Sequence, residues 1–354
     1  MSPRRKRTPP PGEELTQRQQ FLLGLVVREY VAAAQPVGSR RLVERYRLPL
    51  SAATVRNELA ALSQKGYLTQ PHTSAGRVPT EKGYRYVIGR LVERSDLPAP
   101  LKHTIAHQFY QAEQNVGQWM QLAASVLARQ ARAASLVTAP HPEEARYKHL
   151  ELISLRPRQA LLVLVLQGGE IRQRLLHLDA PWGQPRLSAL ADRFNRRYRG
   201  QRLAEVRMPP LPEPGLPRQV WQAVSQEMEE SERRLAAEVY SDGLQHVLNQ
   251  PEFARSEAAR RALAMLGDRA FLEKLLRRVV AQAEIGAVQV LVGGDAPQEL
   301  HQCAVILARY GAPGLASGMV GVVGPMRMPY ATAIPTVRFV ANLLSEMMRE
   351  TLVE

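Results

Sequence analysis

The sequence is short of cysteine, of aromatic residues and of long apolar segments. Its 354 residues include one cysteine, Cys303, and aromatic side chains make up 6%. A single cysteine excludes an internal disulfide and a metal site built from several cysteines, and it is typical of a reducing compartment. The longest apolar run, around residues 161–166, is too short to cross a bilayer, and no apolar stretch of a signal peptide follows the basic N-terminus. We therefore predict a cytoplasmic protein that makes no membrane contact.

Acidic residues are also scarce: the chain has 33 Asp and Glu but 47 Lys and Arg, which gives a formal net charge of +14. Residues 1–94 alone hold 17 basic and 7 acidic residues, or +10, which leaves +4 for the rest. Within them, residues 1–12 contain four basic residues and four prolines, which predicts a disordered basic arm. A concentrated basic surplus is typical of a phosphate-binding module, although solubility or an acidic membrane surface would also explain it.

The pattern that follows the arm predicts three short helices. Thr16 is placed to cap the first, the second spans residues 39–46, and Ser51 is placed to cap a third that reaches residue 64. Gly66 then stands where a left-handed residue ends a helix. Two helices joined by a tight turn form a helix-turn-helix, in which the later helix enters the major groove of DNA.

The residue types on the third helix suit that task. Its apolar residues share one face, so the polar residues are predicted to face outward. Arginine can bond a guanine edge bidentately and asparagine an adenine edge, whereas arginines on the preceding helix would contact phosphates. A small helical domain with a solvated polar face is the alternative. The predicted DNA contacts here are Ser51, Thr54, Arg56 and Asn57 on the third helix, with Arg40 and Arg41 on the second.

A hairpin wing and a fourth helix complete the unit. Residues 67–70 and Val78-Pro79 are predicted strands, and Thr80 is placed to cap a helix that reaches about residue 93. The loop between the strands places His72, Ser74 and Arg77 to meet the DNA backbone or the minor groove. Three helices, a wing and a further helix form a winged helix-turn-helix domain, predicted over residues 13–95.

Several stretches of the chain also match a known bacterial family. In the N-terminal region they are Gln35-Pro36-Val37-Gly38-Ser39-Arg40, Leu50-Ser51-Ala52-Ala53-Thr54-Val55-Arg56-Asn57-Glu58-Leu59, Gly66-Tyr67-Leu68 and Gln70-Pro71-His72-Thr73-Ser74-Ala75-Gly76-Arg77-Val78-Pro79-Thr80. Later in the chain they are Tyr240-Ser241-Asp242-Gly243-Leu244, Asn249-Gln250-Pro251-Glu252-Phe253 and Gly318-Met319-Val320-Gly321-Val322-Val323-Gly324-Pro325-Met326-Arg327-Met328-Pro329-Tyr330. In these motifs the sequence resembles the heat-inducible transcription repressors of the HrcA family.

The resemblance implies a repressor of chaperone genes that binds an inverted-repeat operator, known as CIRCE, as a dimer. It implies a GAF-like domain at residues 101–145 and 236–354, interrupted by an inserted dimerisation domain at residues 146–235. It also implies that the GroE chaperonin keeps the repressor active and that heat releases repression. An inverted repeat requires two-fold protein symmetry, which supports a homodimer on separate grounds.

The rest of the chain predicts a mixed α+β fold. After a linker at residues 97–100, the apolar periodicity predicts one long helix over residues 101–133. Three strand-like runs predict an antiparallel meander followed by helices, within an insert near residues 145–235. The predicted strands lie at residues 135–139, 150–155, 160–166, 171–178, 288–292, 304–310 and 318–323, and further helices lie near 187–199, 218–238, 239–249, 256–283 and 334–352.

No motif in the sequence predicts catalysis. Gly293-Gly294-Asp295 and Gly321-x-x-Gly324 lack the pattern of a phosphate-binding loop, and we interpret them as turns at strand ends. His103 and His107 share a helix face without a third ligand, and Cys303 is expected to pack at a strand start. We therefore expect no enzyme, cofactor or metal. Two alternatives stay open: a small-molecule effector in the GAF-like domain, and a nucleic-acid-processing enzyme targeted by the winged helix.

Overall fold

A computed structural model gives the architecture of most of the chain. None of its described helices is both long and apolar enough to span a membrane. The predicted arm and most of the helix predicted at residues 256–283 lie outside the described residues. The structure describes residues 14–72, 75–112, 115–142, 144–167, 170–208, 213–233, 238–250, 253, 271–272, 284–313 and 316–353.

The N-terminal region has the predicted order of elements. They are α1 (Gln17–Ala33), α2 (Ser39–Tyr46), α3 (Ala52–Gln64), β1 (Leu68–Thr69), β2 (Val78–Pro79) and α4 (Glu81–Arg94). The side chains of Thr16, Ser51 and Thr80 each accept a backbone N–H in the first turn of α1, α3 and α4. Gly66 follows α3 with φ +76°. The predicted helix starts are therefore confirmed, because each has a local cap.

The prediction of one long helix over residues 101–133 is wrong. The chain forms α5 (Ala99–Gln111) and α6 (Val116–Ala131) instead. Ala112 is extended, with φ −70° and ψ 135°, and the Asn115 side chain accepts N–H groups of α6 at 2.9 and 3.4 Å. A capping asparagine thus starts a new helix, although the apolar spacing continues through it.

A six-stranded antiparallel sheet forms the centre of the C-terminal part. The elements of this part are β3 (Ala134–Thr138), β4 (His141–Pro142), β8 (Val239–Tyr240), α10 (Leu244–Leu248), β9 (Val288–Val292), β10 (Cys303–Ala312), β11 (Ala316–Pro325) and α11 (Tyr330–Val353). The strand order is β8-β3-β11-β10-β9, and β4 pairs with the end of β11. Helices α6 and α11 pack on this sheet, and their side chains share one apolar core with the N-terminal helices.

Two local predictions in this sheet need correction. Gly321 lies inside β11, opposite Leu307, and not in a turn at its end. A Cβ at this position would stand 2.2 Å from the carbonyl oxygen of Ile306, so the glycine allows a close approach of the two strands. The helix predicted near residues 239–249 begins as strand β8 and becomes helical only at Leu244.

Residues 145–228 contain a second apolar core, separate from the first. Its elements are β5 (Tyr147–Arg156), β6 (Gln159–Leu166), β7 (Ile171–His177), α7 (Gln184–Tyr198), α8 (Leu203–Val206) and α9 (Leu216–Arg233). The predicted meander is confirmed: β5, β6 and β7 pair in that order, all antiparallel, and α7 and α9 cover one face. The chain is therefore a mixed α+β structure, while the exact domain boundaries stay a prediction.

Helix α4 joins the N-terminal helices to the large sheet. Arg85 bonds Asp295 at 2.6 Å, and the carboxylate of Glu81 accepts the N–H of Gly294 at 3.3 Å. Gly293 has φ +56°, and a Cβ there would stand 2.2 Å from the Glu81 carboxyl carbon. The glycine-rich turn after β9, predicted at a strand end, therefore fits closely against α4.

Candidate nucleic-acid interface

Helix α3 has one buried and one exposed side. Val55, Leu59 and Leu62 are at most 3% exposed, and the helix packs against α1 and α2. Arg56 and Asn57 are exposed on the other side. The apolar spacing that buries α3 therefore also fixes which polar residues face outward.

The N-terminal turn of α3 is fixed by two hydroxyl groups. Ser51 accepts the N–H of Thr54 at 3.0 Å, and the two side-chain oxygens lie 2.9 Å apart. Each hydroxyl carries one hydrogen, so this contact uses one of the two and leaves the other for an outside acceptor. The predicted capping role of Ser51 is confirmed, whereas contacts from either hydroxyl to DNA stay a prediction.

Arg56 and Asn57 are available for an outside partner. In the described part of the chain, neither side chain has a hydrogen bond or an ion pair. An arginine and an asparagine side by side offer donors for a guanine edge and a donor–acceptor pair for an adenine edge. Both predicted base-reading side chains are thus exposed without competition from any described residue.

The arginines of α2 differ in how they are engaged. Arg40 is highly exposed, and its Nε lies 3.9 Å from the Glu44 carboxylate. Arg41 instead bonds Glu29 at 3.2 Å, and Glu29, which is 1% exposed, also accepts from the Tyr46 hydroxyl at 2.8 Å and forms an ion pair with Arg45 at 2.9 Å. Burial and the bond to Glu29 raise the pKa of Tyr46. Arg41 therefore anchors α2 to α1, whatever else it contacts.

Sequence reasoning missed Glu29 as the centre of this cluster. The available signal was its position in α1, where it follows Leu25 and Val26 by one turn and so falls on the buried face. A carboxylate on an apolar face needs cationic or hydrogen-bonding partners. The basic residues of α2 supply them.

The wing is tied to the turn between α1 and α2. Val37 and Arg77 exchange two backbone hydrogen bonds, each of 2.9 Å, and the Arg77 guanidinium bonds the side chain of Gln70. Gly76 permits this contact, because a Cβ there would stand 2.5 Å from the Val37 carbonyl group. His72 is exposed, and Ser74 lies outside the described residues.

The other singled-out residues show no catalytic arrangement. Cys303 is buried at the start of β10, as expected, and burial raises the pKa of its thiol to about 12. His103 and His107 stack on exposed α5 positions with ring centroids 6.3 Å apart. Among the described residues, no group of three metal-ligating side chains comes together.

Comparisons with known proteins agree on one family. The model of the HrcA C-terminal domain matches residues 117–334, more than half of the chain. The heat-inducible transcription repressor HrcA of Roseiflexus castenholzii (strain DSM 13941 / HLO8) is 44% identical over 346 residues, covering 95% of each chain. That of Thermomicrobium roseum (strain ATCC 27502 / DSM 5159 / P-2) is 44% identical over 339 residues, covering 95% of this chain and 96% of the relative.

A solved structure supports the architecture. A crystal structure described as that of a hypothetical protein shares the fold with a TM-score of 0.61 and 21% identity, covering 96% of this chain and 100% of that one. The relatives match along nearly their whole length, and their shared name is that of a regulator and not of an enzyme. The chain belongs to the HrcA family of heat-inducible transcription repressors.

Proposed function

We propose that this protein represses chaperone genes in the cytoplasm by binding a CIRCE-type inverted repeat as a dimer. The N-terminal region acts as a winged helix-turn-helix, in which α3 is the recognition helix and the β1–β2 hairpin is the wing. The larger sheet with α5, α6 and α11 forms the GAF-like domain, and residues 146–235 form the inserted dimerisation domain. The GroE chaperonin modulates the activity.

One observation carries the DNA-binding part of this proposal. Arg56 and Asn57 are exposed on a helix whose opposite face is packed, and no described residue occupies their donors. The hairpin that carries His72 and Arg77 is held beside the α1–α2 turn by the Val37–Arg77 bridge. A rigid helix with free base-reading groups and an attached hairpin is the arrangement that a major-groove reader needs.

Titration of the purified protein against an inverted repeat, a half-site and a scrambled duplex tests it. We expect Arg56→Ala and Asn57→Ala each to weaken repeat binding by about 1–3 kcal/mol, with little change on scrambled DNA. Gln64→Ala is the matched control, because Gln64 is exposed at the far end of the same helix. An equal loss on scrambled DNA would show that the two residues contact only phosphates, and a loss with the control would implicate folding.

Dimerisation has support in the inserted region. Helices α7 and α9 cover one face of the β5–β6–β7 sheet, while apolar side chains remain on the other. Cross-strand register places Ile153, Leu161 and Leu175 in one row, and Val165 and Ile171 in another. Ile171 is 60% exposed and Leu175 46% exposed. An apolar sheet face of this kind is typical of a protein interface, and the proposed two-fold operator favours a second copy of the chain as its occupant.

Charge placed on this sheet face tests the dimer. Ile153→Glu combined with Leu175→Glu is expected to give a monomer in sedimentation analysis, with repeat affinity reduced to that for a half-site. Ala189→Glu serves as control, since it adds a carboxylate at an exposed position of α7, on the helical side of the same region. A double variant that remains dimeric would place the interface elsewhere.

The chaperonin requires a separate comparison. The protein is titrated against the operator with and without GroE, once at 25 °C and once after heating. We expect tighter operator binding in the samples that contain the chaperonin. Identical curves would remove the chaperonin from the mechanism while leaving the operator assignment intact.

A further inference from the structure

A second concentration of positive charge lies in α7 and the turn that follows it. Residues 184–202 hold six arginines and one acidic residue, a net charge of +5. Arg193, Arg196 and Arg197 lie on α7, and Arg199 follows it; all four are exposed. These four residues are called the α7 arginine patch below.

Several other arginines of the inserted region are paired with carboxylates. Arg172 and Arg174 both bond Glu227, at 3.0 and 2.7 Å, and hold β7 to α9. Arg146 and Arg202 share Glu144, at 3.1 and 2.9 Å.

In contrast, Arg193, Arg196 and Arg199 have no carboxylate partner within the described part of the chain. An exposed ion pair contributes little to stability, so folding does not account for three unpaired arginines gathered within seven residues of the chain. Their shared position points to an anionic partner outside the chain.

The shape of the patch indicates what that partner is. Arg193, Arg196 and Arg197 line an open cleft of about 280 Å³. Arg193 and Arg197 are one helical turn apart, about 6 Å along the axis. The aromatic residues of the cleft, Phe194 and Tyr198, are only 4% and 2% exposed. The patch therefore offers guanidinium groups without the exposed aromatic anchors typical of protein interfaces.

We propose that the α7 arginine patch binds the sugar–phosphate backbone of duplex DNA outside the inverted repeat. Planar guanidinium groups bind phosphate bidentately, and a row of them on an open surface suits an extended polyanion better than a small enclosed ligand. Each protomer then contacts DNA through two surfaces: α3 and the wing read the operator, and α7 holds the flanking duplex without reading sequence. This inference rests on the proposed DNA-binding function.

The test compares two duplexes, one limited to the inverted repeat and one with the same repeat and added flanks. Full-length protein is titrated on both over a series of salt concentrations. For the wild type we expect tighter binding and a steeper salt dependence on the longer duplex. In Arg193→Gln/Arg196→Gln/Arg199→Gln we expect the same affinity and the same salt dependence on both duplexes. On the longer duplex, the slope of the logarithm of the binding constant against the logarithm of the salt concentration should fall in magnitude by about 2–3 for each contacting protomer.

A matched variant controls for the loss of charge. Arg129→Gln/Arg156→Gln/Arg158→Gln also removes three exposed positive charges, and in the described structure these three arginines have no partner. We expect this control to keep the length dependence of the wild type. Circular dichroism establishes that both variants are folded.

The possible failures are distinguishable. The proposal is overturned if the patch variant keeps the wild-type dependence on duplex length, or if the control variant loses that dependence equally. An acidic protein segment then becomes the better candidate partner. Failure of the wild type to prefer the short inverted repeat over a scrambled duplex overturns the operator assignment instead. The same slope comparison on scrambled duplexes of the two lengths then still decides whether the patch binds backbone.

Discussion

Gly76 offers a sharp test of how the wing is held. In Gly76→Ala the new Cβ would stand 2.5 Å from the Val37 carbonyl carbon and 2.7 Å from its nitrogen. Carbon atoms in contact normally lie about 3.5–4.0 Å apart, so the loop has to withdraw by about 1 Å. That movement stretches the two 2.9 Å bonds between Val37 and Arg77 beyond hydrogen-bonding range. At about 0.5–1.5 kcal/mol each, their loss costs about 1–3 kcal/mol of stability.

Chemical unfolding and operator titration measure the two consequences. Gly76→Ala is expected to lower the unfolding midpoint and to weaken operator binding, because the displaced loop carries Arg77. Gly89→Ala is the control, since Gly89 lies within α4 and, apart from the nearby backbone of α4 itself, no described atom stands within 4 Å of the place that the added methyl group would take. It should stabilise the protein by about 0.5–1 kcal/mol. If the Gly76 variant matched the wild type in both assays, the close contact between the wing and the α1–α2 turn would not exist in solution.

The remaining predictions concern three buried or strained positions. Gly293→Ala should lower the free energy of unfolding by about 1–2 kcal/mol because a side chain disfavours its left-handed backbone, and by a further amount because the new Cβ clashes with Glu81. Glu81→Ala removes that clash, so a double-mutant cycle measured by chemical unfolding should show coupling between the two positions. Glu29→Gln should cost about 1–3 kcal/mol in thermal unfolding, because two arginines and a tyrosine lose a buried carboxylate; an unchanged Tm would contradict the cluster. Cys303, with a pKa raised to about 12, should resist thiol reagents at pH 8 until the chain unfolds, and rapid labelling of native protein would refute its burial.

Local signals explain why so much of the N-terminal region was predictable. Thr16, Ser51 and Thr80 each provide a cap within one turn of the helix that they start. Gly66 takes the left-handed conformation for which a side chain is unfavourable. Such preferences depend on a few neighbouring residues, so the sequence contains all that is needed to place them. The candidate site follows from the same periodicity, since burying Val55 places Arg56 and Asn57 outside.

The errors lie where distant contacts or competing local signals decide. The apolar spacing of residues 101–133 fits one helix, but the cap at Asn115 divides it. Gly321 has the local appearance of a turn residue, and only its pairing with Leu307 makes it part of a strand. The fit of Gly293 against Glu81 joins residues more than 200 positions apart. No periodicity contains such information, because register and docking are properties of the packed chain.

Positive charge counted in the sequence differs from charge available to bind DNA. Arg41 and Arg45 already share the buried carboxylate of Glu29, whereas Arg56 has no described partner. Glu29→Gln makes the protein more positive and frees both arginines, so simple electrostatics predicts tighter operator binding. We expect weaker binding instead, because α2 loses its attachment to α1 and α3 packs on both helices. Tighter binding with a steeper salt dependence would show that the arginines of α2 act chiefly on phosphates, and that Glu29 limits them.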